Sequence, residues 1–130
     1  MSLSKLTGPK AKSILHIRNI LMILIGVLGL LIKHWFSNSI PEMVYSYMGN
    51  FTVSYAIFFL INIATENRPN RFLSVFISLA IVEVFELTNG FGIMTNVYDP
   101  FDYLANALGI SLAFIVDVIF TRIILARQSV

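Results

Sequence analysis

Residues 14–35 read ILHIRNILMILIGVLGLLIKHW. The thirteen residues from Ile20 to Ile32 are uncharged, with His16, Arg18 and Asn19 before them and Lys33, His34 and Trp35 behind. An apolar core with basic and aromatic residues at both ends is the pattern of a membrane span with interfacial anchors. A cleaved signal peptide shares the basic start, but no small-x-small site follows the run, so the segment is expected to be retained. Composition agrees along the whole chain. Of its 130 residues 57% are apolar or aromatic and 12% are charged, against about a quarter charged in soluble domains, and the mean hydropathy is +0.81. So few polar side chains cannot cover a water-soluble globule of this length, but they suffice for helices whose solvent is lipid.

Three further helices can be read outward from that run. Ser39-Ile40-Pro41-Glu42 predicts a helix start, with Ser39 as cap, a proline in the first turn and Glu42 returning the capping bond. That helix either continues to Thr65 or breaks near Gly49, which would leave an interfacial piece carrying Tyr45 and Tyr47. A turn at 66–70 leads to a third run from Arg71 to about Leu87, stopped by Asn89-Gly90. Asp99-Pro100, a cap followed by a first-turn proline, opens a fourth that runs to about Leu125. The expected fold is all-α, a polytopic four-transmembrane-helix bundle. It comprises a loose basic tail over 1–13 and one domain over 14–127, with spans near 14–32, 44–65, 71–88 and 101–125.

Charge placement sets the expected orientation. Lys5, Lys10, Lys12 and Arg18 precede the uncharged run of the first span, Arg68 and Arg71 lie between the second and third, and Arg122 and Arg127 end the fourth. The first loop holds only Lys33 and the third no cation. By the positive-inside rule both termini and the 66–70 turn face the cytoplasm, while 37–38 and 92–98 face outward. The protein is therefore expected in the inner (plasma) membrane as a multi-pass protein. Its basic tail would lie on anionic membrane lipid, and the net charge of +2 is not a nucleic-acid footprint. Trp35, Phe36, Tyr45 and Tyr47 read as an outer aromatic belt.

Charge inside a span costs about 3 kcal/mol per residue, so the intramembrane acids need partners or a purpose. At about 100° per residue, Asp102, Asn106, Gly109, Ala113 and Asp117 fall within about 80° of one another, a small and polar face turned from lipid. Glu83 and Glu86 are neighbours three apart on the third helix, with Asn89 a turn further on, and two acids so close favour keeping one proton. The third helix runs outward and the fourth inward, which sets Glu86, Asn89, Asp102 and Asn106 at one height near the outer leaflet, with Glu83 a turn deeper. Asp117, about 22 Å further along, belongs to the inner half. Structural readings stand beside these. Asp99 and Asp102 suit a helix N-terminus as cap and first-turn acid, Asn106 with Gly109 suits a close helix contact, and Asp117 suits an ion pair with Arg18, Arg71 or Arg122.

Several chemistries are excluded or unsupported. With no cysteine there is no disulfide, thiolate nucleophile or thiolate metal site. His16 and His34 flank opposite ends of one span and cannot share a metal. No Gly-rich phosphate loop, Ser-His-Asp set or HExxH occurs, and Ser74 and Ser78 have no base near them in sequence, so neither catalytic residues nor a cofactor are expected. Gly26-Val27-Leu28-Gly29 reads as a close packing contact within the fold.

From Glu86 to Gly109 the chain reads ELTNGFGIMTNVYDPFDYLANALG, and this resembles the VanZ-like family of small bacterial membrane proteins. In that family a span ends in an acid followed three residues later by an amide. After a short outer loop the next opens with Asp, then Asn four on, then Gly three further. Glu86 and Asn89 match the first pair, although Gln is usual at the second place, and Asp102, Asn106 and Gly109 match the other set. Gly49-Asn50 in the second span also looks like relatives. The family often carries an Arg in the loop, where this chain has Thr95 nearby, so a counter-ion role for such a residue does not transfer. The family's namesake is associated with reduced susceptibility to the glycopeptide teicoplanin, and no chemical activity is firmly attached to the fold.

Together these observations lead to an expected ligand site of Glu83, Glu86, Asn89, Asp102 and Asn106, with Gly109 letting the third and fourth helices approach and Gly26 and Gly29 as further packing positions. The site would take a polar or cationic group of a lipid, a lipid-linked cell-wall precursor or a glycopeptide-type drug. Proton or cation conduction along Glu83, Glu86, Asp102 and Asp117, a divalent-metal enzyme using the same carboxylates, and a structural subunit of a membrane complex are the competing classes.

Overall fold

The computed structural model of the chain describes residues 8–65, 71–88, 92 and 99–128. Within them are four helices: α1 (Pro9–Trp35), α2 (Glu42–Ala64), α3 (Arg71–Leu87) and α4 (Pro100–Gln128). At 1.5 Å per residue they are about 40, 34, 26 and 44 Å long, against a hydrocarbon core of about 30 Å. α1, α2 and α4 are each long and apolar enough to cross a membrane.

Local chemistry explains most of the ends. α1 begins at Pro9, where a missing N–H costs nothing, and so runs into the stretch expected as a loose tail; Lys33 and His34 complement the dipole of its last turn. The capping box expected at Ser39 does not form. The residue preceding α2 is Pro41, no side chain caps the helix, and the Ser39 amide instead donates to the Phe36 carbonyl in a turn. Beyond Glu42, α2 is continuous through Gly49. Thr52, one turn later, folds its hydroxyl back on the Met48 carbonyl at 2.8 Å, a bond that lies along the helix and leaves it unbroken. At α4, the Asp99 carboxylate accepts from the Phe101 amide at 3.0 Å, so this acid caps as its position before Pro100 implies.

α2 and α4 form the central pair. Both touch α1 and α3, which do not touch each other among the described residues. Gly109 is where α4 meets α2, because a Cβ there would collide with the Phe51 carbonyl and crowd Ser54. The expectation that it brings α4 onto α3 is therefore corrected. Gly26 does the same for α1, since an added Cβ would lie 2.9 Å from that of Ala56 on α2, and at Gly29 it would meet the Thr52 methyl at 3.0 Å. Lipid tails are as apolar as leucine, so helices in a membrane are held by such close packing and by interhelical hydrogen bonds more than by a hydrophobic drive.

The distribution of side chains is inverted relative to a soluble protein. Phe58, Phe59, Ile110 and Ala113 form the middle of the core, with Phe58 and Phe59 edge to face at 5.3 Å. The other buried positions are largely polar, including Arg18, Asn19, Ser54, Asn106, Asp117 and Thr121. Large apolar side chains cover the outside of every helix, among them Leu21, Leu24, Leu60, Phe76, Leu108 and Ile115. Polar groups inside and hydrocarbon outside is the arrangement a lipid solvent selects.

Candidate functional site

Polar residues gather at two ends of the bundle. At the end where α2 and α4 begin, side chains of the two helices pair at a constant sequence offset. Tyr47 donates its hydroxyl to Asp99, the Asn50 amide donates to Asp102 at 2.7 Å, and the Ser54 hydroxyl donates to Asn106 at 2.7 Å. Each pair is separated by 52 residues, as two parallel helices in register require. Positions 47, 50 and 54 repeat the three-then-four spacing of 99, 102 and 106, which is the spacing that places successive side chains along one helix seam. Asp102 is thus more than a first-turn acid, because its carboxylate takes a hydrogen bond from another helix.

α3 adds its own acids to this seam. The Glu86 carboxyl is close enough to those of Asp102 and Glu83 to interact with both electrostatically. Glu83 itself has one oxygen buried without a hydrogen-bond partner among the described residues. Neither Glu86 nor Asp102 is paired with a lysine or arginine among the described residues, where the ion pairs belong to Asp117.

Beside the seam is a cavity of about 350 Å³ between α2, α3 and α4. Glu86, Asn106, Asn50 and Ser54 supply its polar atoms, while Val53, Ile57, Ile81 and Phe85 are among its apolar walls. Val53, Ile81 and Phe85 keep 41%, 43% and 41% of their surface exposed, so the cavity opens sideways, between α2 and α3. Of the five residues expected as a site, Glu86, Asp102 and Asn106 are thus brought onto one seam, Glu83 lies close by, and Asn89 falls outside the described residues.

Asn50, Ser54 and Tyr47 were not expected here as site residues. Tyr47 reads from sequence as a belt aromatic, yet its hydroxyl is spent on Asp99. The signal that finds all three is the shared spacing of the two triplets, which becomes meaningful only once α2 and α4 are known to lie side by side and parallel.

The opposite end is a charge-neutralising node. Asp117 on α4 pairs with Arg18 of α1 at 2.7 Å and with Arg71 of α3 at 3.4 Å, two of the three arginines expected as partners. Arg18 also donates to the Asn19 side-chain oxygen Oδ1 at 2.7 Å and to the Thr121 hydroxyl at 3.3 Å, and its guanidinium lies 5.6 Å from the Phe59 ring centre. Arg18 is only 7% exposed, so this cation, counted above as a cytoplasmic anchor, is buried among helices. Of the cations behind the orientation reading, Lys10, Lys12, Arg122 and Arg127 are exposed among the described residues. Between the two ends, Phe58, Ile110 and Ala113 are fully packed and apolar.

No cluster of three or more histidine or acidic residues able to hold a metal ion occurs among the described residues. No protein-family model, curated protein or solved structure matches the chain.

Proposed function

We propose that this is a VanZ-like, four-span protein of the inner (plasma) membrane, with both termini cytoplasmic, that binds a cationic or polar group of a membrane-resident ligand at the Glu86–Asp102 seam. A lipid, a lipid-linked cell-wall precursor and a glycopeptide-type drug all offer such a group. One observation carries the reading: two carboxyls from different helices meet beside a laterally open, mainly apolar cavity and have no lysine or arginine partner among the described residues. Acids held inside a span without a counter-ion are costly, and a cationic ligand removes that cost. Asn50 would orient Asp102 and Ser54 would orient Asn106, each through the hydrogen bond described above.

Conduction is the weaker alternative. A proton or cation leaving Asp102 has to pass the packed Phe58, Ile110 and Ala113 before it reaches Asp117, and these offer no polar side-chain atom. A structural-subunit role accounts for the Asp117 node but gives no reason for unpaired acids beside an open cavity.

The test uses an alkylammonium probe, dodecylammonium, binding to the purified full chain in a neutral detergent, measured by calorimetry. Glu86→Gln and Asp102→Asn should each weaken binding at least about tenfold, and the double variant should lose little more, because a unit once broken is not broken twice. Equal binding by parent and both single variants overturns the reading. Orientation is tested separately. Cysteine placed at Ser37 should react with an impermeant thiol reagent in intact cells, and cysteine at Gln128 only after the membrane is opened. The reverse pattern overturns the cytoplasmic assignment of the termini.

A further inference from the structure

A cation lies next to Gly49, one of the residues that line the cavity. Lys33, at the end of α1, reaches across to α2, where its ammonium sits 4.2 Å from the centre of the Tyr45 ring and 2.9 Å from where a Cβ of Gly49 would be. Gly49 lines the cavity and is the neighbour of Asn50, which holds Asp102. A Cβ at Gly49 would displace only the flexible end of Lys33, so the ammonium lies directly against this part of α2. Tyr45 holds Lys33 by its ring face, and no ion pair ties it to a carboxylate among the described residues. Two consecutive residues of α2 therefore contact opposite charges, Gly49 the Lys33 ammonium and Asn50 the Asp102 carboxylate.

Resting on the binding reading above, and naming its ligand, we propose that the cavity holds part of an acyl chain of a zwitterionic phospholipid, with the head-group ammonium on the Glu86–Asp102 pair and the phosphate on Lys33. A simple cation has no use for Lys33, and an anionic lipid is repelled by the acids; a zwitterion complements both. Carboxyl groups that accept hydrogen bonds favour a primary ammonium, which has N–H donors, over a quaternary one, which has none and is held best by an aromatic cage. The lipid class is therefore the aminoethyl phosphate type. About 350 Å³ is near the lower end of ligand pockets, suited to a chain segment and too small for a glycopeptide. The opening between Val53, Ile81 and Phe85 faces sideways, the direction from which a chain in the bilayer arrives.

The test is native mass spectrometry of the delipidated full chain, offered equal amounts of phosphatidylethanolamine, phosphatidylcholine and phosphatidylglycerol with identical acyl chains, alongside dodecylammonium binding. Phosphatidylethanolamine should be retained about tenfold over the other two, a difference of about 1.4 kcal/mol. Lys33→Gln should lower its retention about tenfold relative to dodecylammonium, and Ile81→Trp, which fills the cavity from its open side, should abolish the lipid adduct. Glu86→Gln should lose both ligands. No preference among the three lipids, or an unaltered preference in Lys33→Gln, overturns the lipid assignment while Glu86-dependent dodecylammonium binding keeps the broader reading intact. Dodecylammonium binding indifferent to Glu86→Gln overturns both. If Glu86→Gln fails to fold, Ile81→Trp and Lys33→Gln, both changed at the cavity's periphery, decide the lipid assignment by themselves.

Discussion

The two ends of the bundle treat acidic side chains in opposite ways. At one end Asp117 is 2% exposed and meets two arginines from two other helices, so charge is cancelled where it is buried and three helices are tied at one point. At the other end Glu86 and Asp102 meet each other, are partly exposed and border an open cavity. Both arrangements place carboxylates inside an apolar helix bundle, yet only the first accounts for its own cost. An acid whose neighbours already neutralise it is explained by the fold, whereas an acid pair whose one side-chain donor among the described residues is the Asn50 amide points to something outside the chain.

The sharpest way to break this contrast is at the node. Asp117→Asn leaves Arg18 buried without its counter-ion, and removing one partner of a buried pair costs about 3–5 kcal/mol. The variant should melt far below the parent in detergent, while dodecylammonium binding per folded molecule stays close to the parent's. Replacing both partners, Arg18→Met with Asp117→Leu, should recover much of the loss, because Arg71 is more exposed and can turn toward water. Loss of binding at parental stability would move Asp117 into the functional set and favour conduction.

At the other end the sign should reverse. Glu86→Gln removes a carboxyl that faces another acid, so it should melt at or above the parent while losing the probe. A clear drop in melting temperature for this isosteric change would mean that Glu86 is a packing element like Asp117, and the two ends would no longer differ in kind.

How much of this was legible in the sequence depends on whether one helix or two carried the signal. The helices, the buried face of α4 and the pairing of Asp117 with nearby arginines follow from periodicity, composition and the cost of an intramembrane charge. Asn106, Gly109, Ala113 and Asp117 are all buried on that one face. What faces α4 is a different question, because a helical wheel names a buried face and not its partner. The loop from α3 to α4 suggests those two as neighbours, yet Gly109 packs on α2. Nor does α2 announce its contact face. Asn50, Thr52, Ser54 and Tyr55 are scattered around an almost uniformly apolar helix, and only the register with α4 selects Asn50 and Ser54. Arg18 shows the same limit, since a cation near a span end reads as an anchor until the helix carrying Asp117 is known to lie beside it. The Ser39 box failed because a local capping motif competes with the turn that closes on Phe36, and the turn won.

The smallest effect is expected within the seam itself, and it tests whether the 52-residue register is an energetic feature or only a geometric one. Ser54 is fully buried and donates to Asn106, so Ser54→Ala strands an acceptor and should cost about 1 kcal/mol. Interhelical hydrogen bonds in membrane proteins couple by about 0.6 kcal/mol on average, since the separated helices find other partners. A double-mutant cycle of Ser54→Ala with Asn106→Ala, read by unfolding in detergent, should return a coupling of about that size. Ser111 supplies the control on the same helix. Its hydroxyl bonds back to the Ala107 carbonyl at 2.7 Å and the residue is exposed, so Ser111→Ala should be nearly silent and uncoupled to Ser54→Ala. Coupling near zero for Ser54 with Asn106 would mean that these polar pairs merely tolerate one another across a contact made by Gly109. The seam would then orient Asn106 too weakly to position a ligand, and the difference between the two ends would rest on Glu86 and Asp102 alone.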